Sequence, residues 1–313
     1  ITTRGKDMIY DLIIAGSGPA GLTAAIYAKR AGLSFVVLEK EYMSGGQILN
    51  TYEVDNYPGL PGIGGFELGM KLREHADRLG VSFINIEVRH VELEDGGRIK
   101  ALYTDGEVYR ARSVIFAMGA KHRLLGVRGE KELAGMGVSY CATCDGAFFK
   151  GRTVAVIGGG DAAAEDAIYL AKGCAQVYVI HRRDTMRAAA ILQEKLRECE
   201  NVTFLWDTEV TQIIGDEHVE GVWLKHTKNG KEQLLDLDGV FIAVGMVPET
   251  GIISKLLQTD ENGYIVAGED TLTSQPGIFA AGDIRTKALR QIITAASDGA
   301  NAAFAAQKYV FGM

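Results

Sequence analysis

Proline is scarce in this chain, with 5 in 313 residues, and cysteine is scarcer, with 4. So few cysteines in so long a sequence exclude a secreted disulfide scaffold. A reducing cytoplasm is the expected setting, and there a close cysteine pair serves catalysis or metal binding. The sequence shows no signal peptide and no uninterrupted apolar run near the ~20 residues of a membrane span, so no membrane partner is expected. Met8 reads as a candidate natural start after Ile1–Asp7. Excess positive charge is also missing: the net charge is −7, whereas a nucleic-acid footprint would need a basic stripe. What is abundant is glycine, 39 of 313 residues or about 12% against a usual ~7%. With so little proline the excess is not linker-like, and it points to tight turns and close backbone approach. The length suits two ordinary domains, each with its own core.

Tyr10–Ala15 is a short apolar, β-branched run of the kind found in buried parallel strands. It runs into Gly16-Ser17-Gly18-Pro19-Ala20-Gly21, then a helix from Leu22 to Arg30, then a second strand, 34–38, that ends in Glu39. This is a βαβ unit with the full G-x-G-x-x-G fingerprint. The first glycine permits the turn, the second lets the backbone approach a pyrophosphate, and the third lets helix pack on strand. Glu39 lies 23 positions after Gly16, where an acid hydrogen-bonds a ribose hydroxyl.

The pattern recurs. Thr153–Ile157 reads as a strand, Gly158-Gly159-Gly160-Asp161-Ala162-Ala163 as the turn, Ala164–Ala171 as a helix and Val177–Ile180 as the next strand. His181 again lies 23 positions after the first glycine, but here the acid is replaced by His181-Arg182-Arg183, with Arg187 one helical turn further on. Positive charge at this point suits a 2′-phosphate, so this unit is expected to prefer NADP to NAD. The alternative is a solvated helix start that carries arginines. The repeat therefore divides labour: the acid-ended site is expected to hold the adenosine of FAD and the arginine-ended site that of NADPH. Apolar strands closing on glycine at Val114–Gly119 and Val240–Gly245 occupy corresponding late positions in the two halves. A third, Gly277–Asp283, precedes a long alanine-rich helix that starts near Arg290-Gln291, and an acid placed there suits flavin contacts.

Cys141-Ala142-Thr143-Cys144-Asp145 stands just before the second unit. Two cysteines at this spacing can form a disulfide, and thiol–disulfide exchange needs one sulfur to attack and another to resolve. A zinc half-site is the alternative, but closed zinc sites need four ligands and the chain has no second C-x-x-C. Cys174 and Cys199 read as packing residues. Phe148-Phe149 reads equally as core or as a docking surface.

With these motifs together, the chain resembles the low-molecular-weight thioredoxin reductases of bacteria from Met8 onward. The likeness is carried by Gly16–Gly21, Gly45-Gly46-Gln47, Asn56-Tyr57-Pro58-Gly59, Cys141–Gly146, Gly158–Ala163, His181–Arg187 and Ala281-Gly282-Asp283 with Arg290-Gln291. The resemblance implies an α/β fold of two Rossmann-like, three-layer ββα domains. An FAD domain, residues 1–118 and 249–313, would hold an NADPH domain, 119–248, inserted into it. It implies that Gln47, Asn56, Asp283 and Gln291 line the flavin, with Gly46, Val88, Gly119, Gly282 and Arg290 also among the cofactor-binding residues. On the NADPH side stand Gly158, Gly160, Asp161, Ala162, His181, Arg182, Arg183 and Arg187. Cys144 would accept electrons from the flavin, Cys141 would attack the protein substrate and Asp145 would be the general acid. The implied protein is a cytoplasmic homodimer that passes electrons from NADPH through FAD and the Cys141/Cys144 disulfide to thioredoxin, with no metal.

Three positions depart from the family pattern. Met118 replaces a threonine, Arg128 stands where a proline is frequent, and Met136 stands where a basic residue helps to recognise thioredoxin. The last leaves the partner open. Dithiol and nicotinamide sites in one domain must serve one flavin in turn, so a rotation hinged on the two crossing strands is expected.

Overall fold

The apolar runs at Ile9–Ala15, Phe35–Glu39, Thr153–Ile157 and Gln176–Ile180 each become a parallel strand. A computed structural model describes residues 8–51 and 53–313, with Asn50 defined in its backbone only. The segment ahead of Met8, and with it the expected start of the first domain, lies outside the described residues.

The chain begins with β1 (Ile9–Ala15), α1 (Pro19–Arg30) and β2 (Phe35–Glu39), the expected βαβ unit. A 3-10 turn, Gly46–Asn50, precedes α2 (Gly65–Arg78). Then follow β3 (Phe83–Asn85), β4 (His90–Glu94), β5 (Ile99–Tyr103) and β6 (Val108–Phe116). Strands β3-β2-β1-β6 are parallel, while β4, β5 and the first half of β6 form an antiparallel extension. The chain leaves through β7 (Ala120–His122).

The second sheet, β11-β10-β9-β15-β8, is parallel throughout. It is built from β8 (Val138–Ser139), β9 (Thr153–Ile157), β10 (Gln176–Ile180) and β11 (Val202–Leu205), closed by β15 (Gly239–Ile242). Helices α3 (Ala142–Asp145), α4 (Asp161–Ala171) and α5 (Ala190–Arg197) belong to this half. Strands β12 (Thr208–Ile214), β13 (Gly221–His226) and β14 (Glu232–Asp236) form a separate antiparallel meander. The chain returns through β16 (Met246–Pro248), which pairs with β7, so the two crossings form a two-stranded ribbon. It ends with β17 (Ile278–Ala280), parallel to β6, and α6 (Ile292–Phe311).

Two compact units result. One comprises the described residues up to Thr51, Tyr57–Lys121 and Val247–Met313; the other comprises His122–Met246 with 53–56. The expected architecture of two Rossmann-like units, one inserted in the other, is what the chain forms. Residues 53–56 group with the second unit; this stretch has no extended pairing, only an isolated bridge at Val54, so no sheet fixes it to the first.

Each unit buries apolar side chains on both faces of its sheet, as parallel sheets require. In the first, Leu12 and Ile14 face α1 and α6, while Ile13, Val114 and Phe116 face the opposite layer with Ile253 and Ile265. Helices α1 and α6 pack closely because a Cβ on Gly299 would sit 2.1 Å from the Ala20 carbonyl oxygen. In the second unit Val154, Val156 and Phe241 face α4 together with Ala142 of α3, and Ala155, Ile157 and Val240 face the meander. The dithiol helix is thereby anchored in a core.

Candidate functional site

At the first turn, Gly16 adopts φ 102°, and a Cβ there would lie 2.5 Å from the Ala117 carbonyl oxygen. Only glycine fits between β1 and the end of β6. Ser17 is fully buried, and its N–H and hydroxyl both donate to Glu39 Oε2, at 2.6 and 2.7 Å. Glu39 Oε1 accepts the Glu41 N–H at 3.0 Å, so the carboxylate is fixed at the end of β2. Gly18 is the N-cap of α1 and Pro19 opens the helix, with no side-chain cap and no acid in the first turn. Ala20 is buried against α6. Uncapped helix amides facing a glycine turn are suited to an anionic pyrophosphate.

The Gly46–Asn50 turn is tied to this loop, since the Gly45 N–H donates to the Ser17 carbonyl oxygen at 2.9 Å. Gln47 is exposed and its amide donates to the Ala120 carbonyl oxygen. Gly119, at φ 70°, accepts the Glu249 N–H at 3.0 Å. Val88 lies between β3 and β4, partly buried against the core. Asn56 is exposed and groups with the second unit, so it is the one flavin-side expectation not gathered with the others.

After β17, the Gly282 N–H donates to Asp298 Oδ2 at 2.9 Å. Asp283 Oδ1 is buried without a hydrogen-bond partner. Burial pushes the Asp283 carboxyl up, against the pull of Lys287 and Arg290. Arg290 stacks its guanidinium 4.1 Å from the Tyr264 ring centre, and its Nε is likewise buried and unpartnered. Gln291 caps α6 in a reciprocal box with Thr294, which reveals a structural duty beside the expected one. Two orphaned polar atoms, Asp283 Oδ1 and Arg290 Nε, in the unit that holds the first glycine turn fit a polar cofactor chain such as that of FAD.

In the second turn, a Cβ on Gly158 would lie 2.4 Å from the Ala243 carbonyl oxygen, and one on Gly159 would lie 2.2 Å from the His181 ring. Gly159 therefore makes room for the imidazole. His181 is buried and its Nε2 has no partner; burial, then Arg183, Arg187 and Arg182, push its pKa down, which favours the neutral imidazole at neutral pH. Gly160 caps α4 with open space around it. Asp161 sits in the first turn of α4, but its carboxylate is occupied by the Ala189 N–H at 2.7 Å. Ala162 is exposed. Arg182, Arg183 and Arg187 are all exposed, and among the described residues none pairs with a carboxylate. Three unpaired guanidinium groups beside a glycine turn fit a doubly charged phosphate.

Cys141 and Cys144 are joined in a disulfide on α3, with Cα atoms 5.3 Å apart. Asp145 N–H donates to the Cys141 carbonyl oxygen at 3.1 Å, folding the acid back over the pair's own turn. Asp145 Oδ1 is buried and unpartnered, while Oδ2 accepts the Ser139 hydroxyl at 2.6 Å. Burial pushes this carboxyl up, and the Ser139 bond opposes the shift. Cys174 is buried in the core and Cys199 follows the end of α5. Among the described residues no cluster could hold a metal ion.

Sequence reasoning passed over Ser139. A hydroxyl two residues before Cys141, accepting its N–H at 3.1 Å, is a local side-chain-to-backbone turn, and the S-x-C spacing was the available signal. It also passed over Arg285, Lys287 and Asp298, a buried ion cluster in which Asp298 bonds Arg285 Nη2 at 2.6 Å and Lys287 at 2.8 Å. A lone acid within the alanine-rich stretch of α6 was its signal.

Two dinucleotide folds with a redox disulfide on the second define the class: a disulfide oxidoreductase. The pattern of the pyridine nucleotide-disulphide oxidoreductases matches residues 10–299. Thioredoxin reductase of Listeria innocua is 48% identical, over 97% of this chain and 95% of its own length. Among solved structures, the thioredoxin reductase of Streptococcus pyogenes superposes with a TM-score of 0.92 at 45% identity, covering 97% of this chain and 99% of that one. That of Lactococcus lactis, in its FR conformation, gives 0.66 at 43% identity, covering 97% and 100%. The chain belongs to the bacterial-type thioredoxin reductases within the pyridine nucleotide-disulphide oxidoreductase family.

Proposed function

We propose that this protein is an NADPH-dependent thioredoxin-disulfide reductase. Overall, NADPH and a proton become NADP⁺ while a thioredoxin disulfide becomes a dithiol. The observation that carries this reading is the Cys141–Cys144 disulfide beside Asp145, in the same compact unit as the arginine-ended glycine turn. FAD, when bound, supplies the two-electron relay between nicotinamide and disulfide.

The first unit would hold FAD. Its pyrophosphate belongs at Gly16, Ser17, Gly18, Pro19 and Ala20, and its ribose at Glu39. The isoalloxazine and ribityl side would belong to Gly46, Gln47, Val88, Gly119, Gly282, Asp283, Arg290 and Gln291, while Asn56, expected there by resemblance, groups with the second unit. The second unit would hold NADPH at Gly158, Gly160, Asp161 and Ala162. Arg182, Arg183 and Arg187 would clamp the 2′-phosphate, with neutral His181 offering Nε2 beneath the turn. In the exchange step Cys141 attacks the substrate disulfide and Cys144 resolves the mixed disulfide, while Asp145 holds the proton that a departing thiolate needs.

Both the dithiol and the arginine cluster lie in one unit, so they must serve the flavin in turn. A rotation of that unit on the β7–β16 ribbon would alternate them. The two solved relatives above differ in TM-score by far more than in identity, the spread that two rigid units differently oriented in those relatives would produce. A cytoplasmic homodimer, with no nucleic-acid or membrane partner, goes with this reading. The homodimer rests on the family alone, the four cysteines and the net charge of −7 go with a reducing setting without nucleic acid, and among the described residues no helix is long and apolar enough to cross a membrane.

The test adds NADPH to purified flavoprotein, follows bleaching of the flavin, then adds oxidised thioredoxin. Bleaching followed by thioredoxin reduction is expected, and Cys144→Ser should abolish the second step while the first persists. A flavin that bleaches with reduced ferredoxin but not with NADPH would overturn the assignment.

A further inference from the structure

We infer that Ser139 is the positioning residue of the dithiol's proton donor: its hydroxyl determines which carboxyl oxygen of Asp145 carries the proton. The inference rests on the thioredoxin-reductase reading above and adds a residue to it. Ser139 ends β8, is 5% exposed, and pairs in register with Phe241 of the buried strand β15, so its backbone is fixed. Its hydroxyl accepts the Cys141 N–H at 3.1 Å and donates to Asp145 Oδ2 at 2.6 Å. A hydroxyl has one proton to give, and the one competing acceptor found among the described residues, the Cys141 carbonyl oxygen, is 3.4 Å away. The short bond to the carboxyl group therefore prevails.

The consequence concerns proton placement. With Oδ2 already accepting a hydrogen bond, the acid proton of Asp145 resides on Oδ1, which is buried with no partner among the described residues. When the electron pair that originates in NADPH breaks the Cys141–Cys144 bond, one sulfur takes the proton from Oδ1 and the other remains a thiolate. Asp145 is left as a carboxylate that still accepts the Ser139 hydroxyl. When a substrate disulfide reoxidises the pair, the thiolate attacks it, the enzyme thiol gives its proton through Asp145 Oδ1 to the departing substrate thiolate as the Cys141–Cys144 bond closes, and solvent supplies the second substrate proton and reprotonates Oδ1. The same serine holds the Cys141 amide, so one side chain registers the donor against the dithiol's own backbone.

Other ionisable groups surround α3. From α4 come Glu165 and Asp166; Asp166 lies by the Ala142 amide and is pushed up to about 6 by burial and by Glu165. On the approach from β8, Tyr140 donates to Glu130 at 2.9 Å. A test must separate these from Asp145, which Asp145→Asn does.

The experiment is the pH profile of thioredoxin reduction by the NADPH-driven holoenzyme, for wild type, S139A, S139T and D145N. A general acid works while protonated, so activity falls as pH rises through its pKa. The Ser139 bond lowers the Asp145 pKa, so in S139A that alkaline limb moves to higher pH while the plateau falls about tenfold. S139T keeps the hydroxyl and returns the limb to its wild-type position; D145N loses the limb. NADPH-driven flavin bleaching in the same samples reports intact holoenzyme. A lower plateau in S139A with an unmoved limb would mean that Ser139 is merely structural and would overturn the inference, as would S139T behaving like S139A. A wild-type enzyme that bleaches but never reduces thioredoxin would overturn the functional reading instead.

Discussion

The two glycine-rich turns share one backbone plan, strand into glycine into helix, yet they dispose of charge in opposite ways. At the first, Glu39 closes on Ser17 and the cation that follows it, Lys40, is neutralised by Glu249 at 2.9 Å. At the second, the corresponding position is a buried neutral histidine, and the arginines after it keep their charge exposed and unpaired. The acid in the first turn of α4, Asp161, is diverted to the Ala189 amide. The two turns thus differ in whether the charges past the second strand are already spent inside the protein, and we expect that difference, more than the glycines, to set phosphate preference.

The largest expected effect breaks the acid-ended site. Glu39→Gln removes the anion that anchors Ser17 and that the proposed function assigns to the ribose, and FAD should bind about 100-fold more weakly, the loss of roughly 2.7 kcal/mol in charged hydrogen bonds. Fluorescence of released flavin measures this, with the affinity for 2′,5′-ADP as reference for the second site. If 2′,5′-ADP binding fell instead of flavin binding, the two sites would have been assigned the wrong way round.

Next in size is the base-ended site. Arg183→Ala or Arg187→Ala should each raise KM for NADPH about tenfold, since each removes a charge-assisted bond of roughly 1.4 kcal/mol. KM for NADH should barely move, because that cofactor has no 2′-phosphate. Equal losses with both cofactors would mean that the arginines shape the loop and do not read the phosphate.

This asymmetry was legible in the sequence because it is local: a strand, a glycine turn and a terminal residue at fixed spacing all lie within one βαβ unit. The C-x-x-C pair and Asp145 were legible for the same reason. What was not legible depends on residues brought together from afar. Asp298 meets Arg285 and Lys287 only because α6 packs along the end of β17. The β12–β14 meander left no motif, since its strands pair chiefly with one another and contribute none of the expected site residues. The neutralisation of Lys40 also needs the fold, because Glu249 arrives from 209 positions later in the chain.

That last pairing gives the smallest expected effect and the finest test of the comparison. Lys40 directly follows Glu39 as Arg182 follows His181, so the first site holds one cation where a 2′-phosphate would want it. Glu249 also takes Lys121 at 3.4 Å, and burial, which alone would push its carboxyl up, is outweighed by the two lysines, which hold it below its ordinary value. The groups are partly exposed, so Glu249→Gln should cost only about 0.5 kcal/mol of stability, and less at high salt. Its informative consequence is the freed Lys40 charge: retention of FAD should change less than twofold, because FAD has no 2′-phosphate to meet that charge. Affinity of the first unit for 2′-phosphorylated adenosine, by contrast, should rise from undetectable to weak. A variant that lost FAD severely would show that Glu249 supports the turn itself, and the contrast in spent and unspent charge would then not explain how the two sites differ.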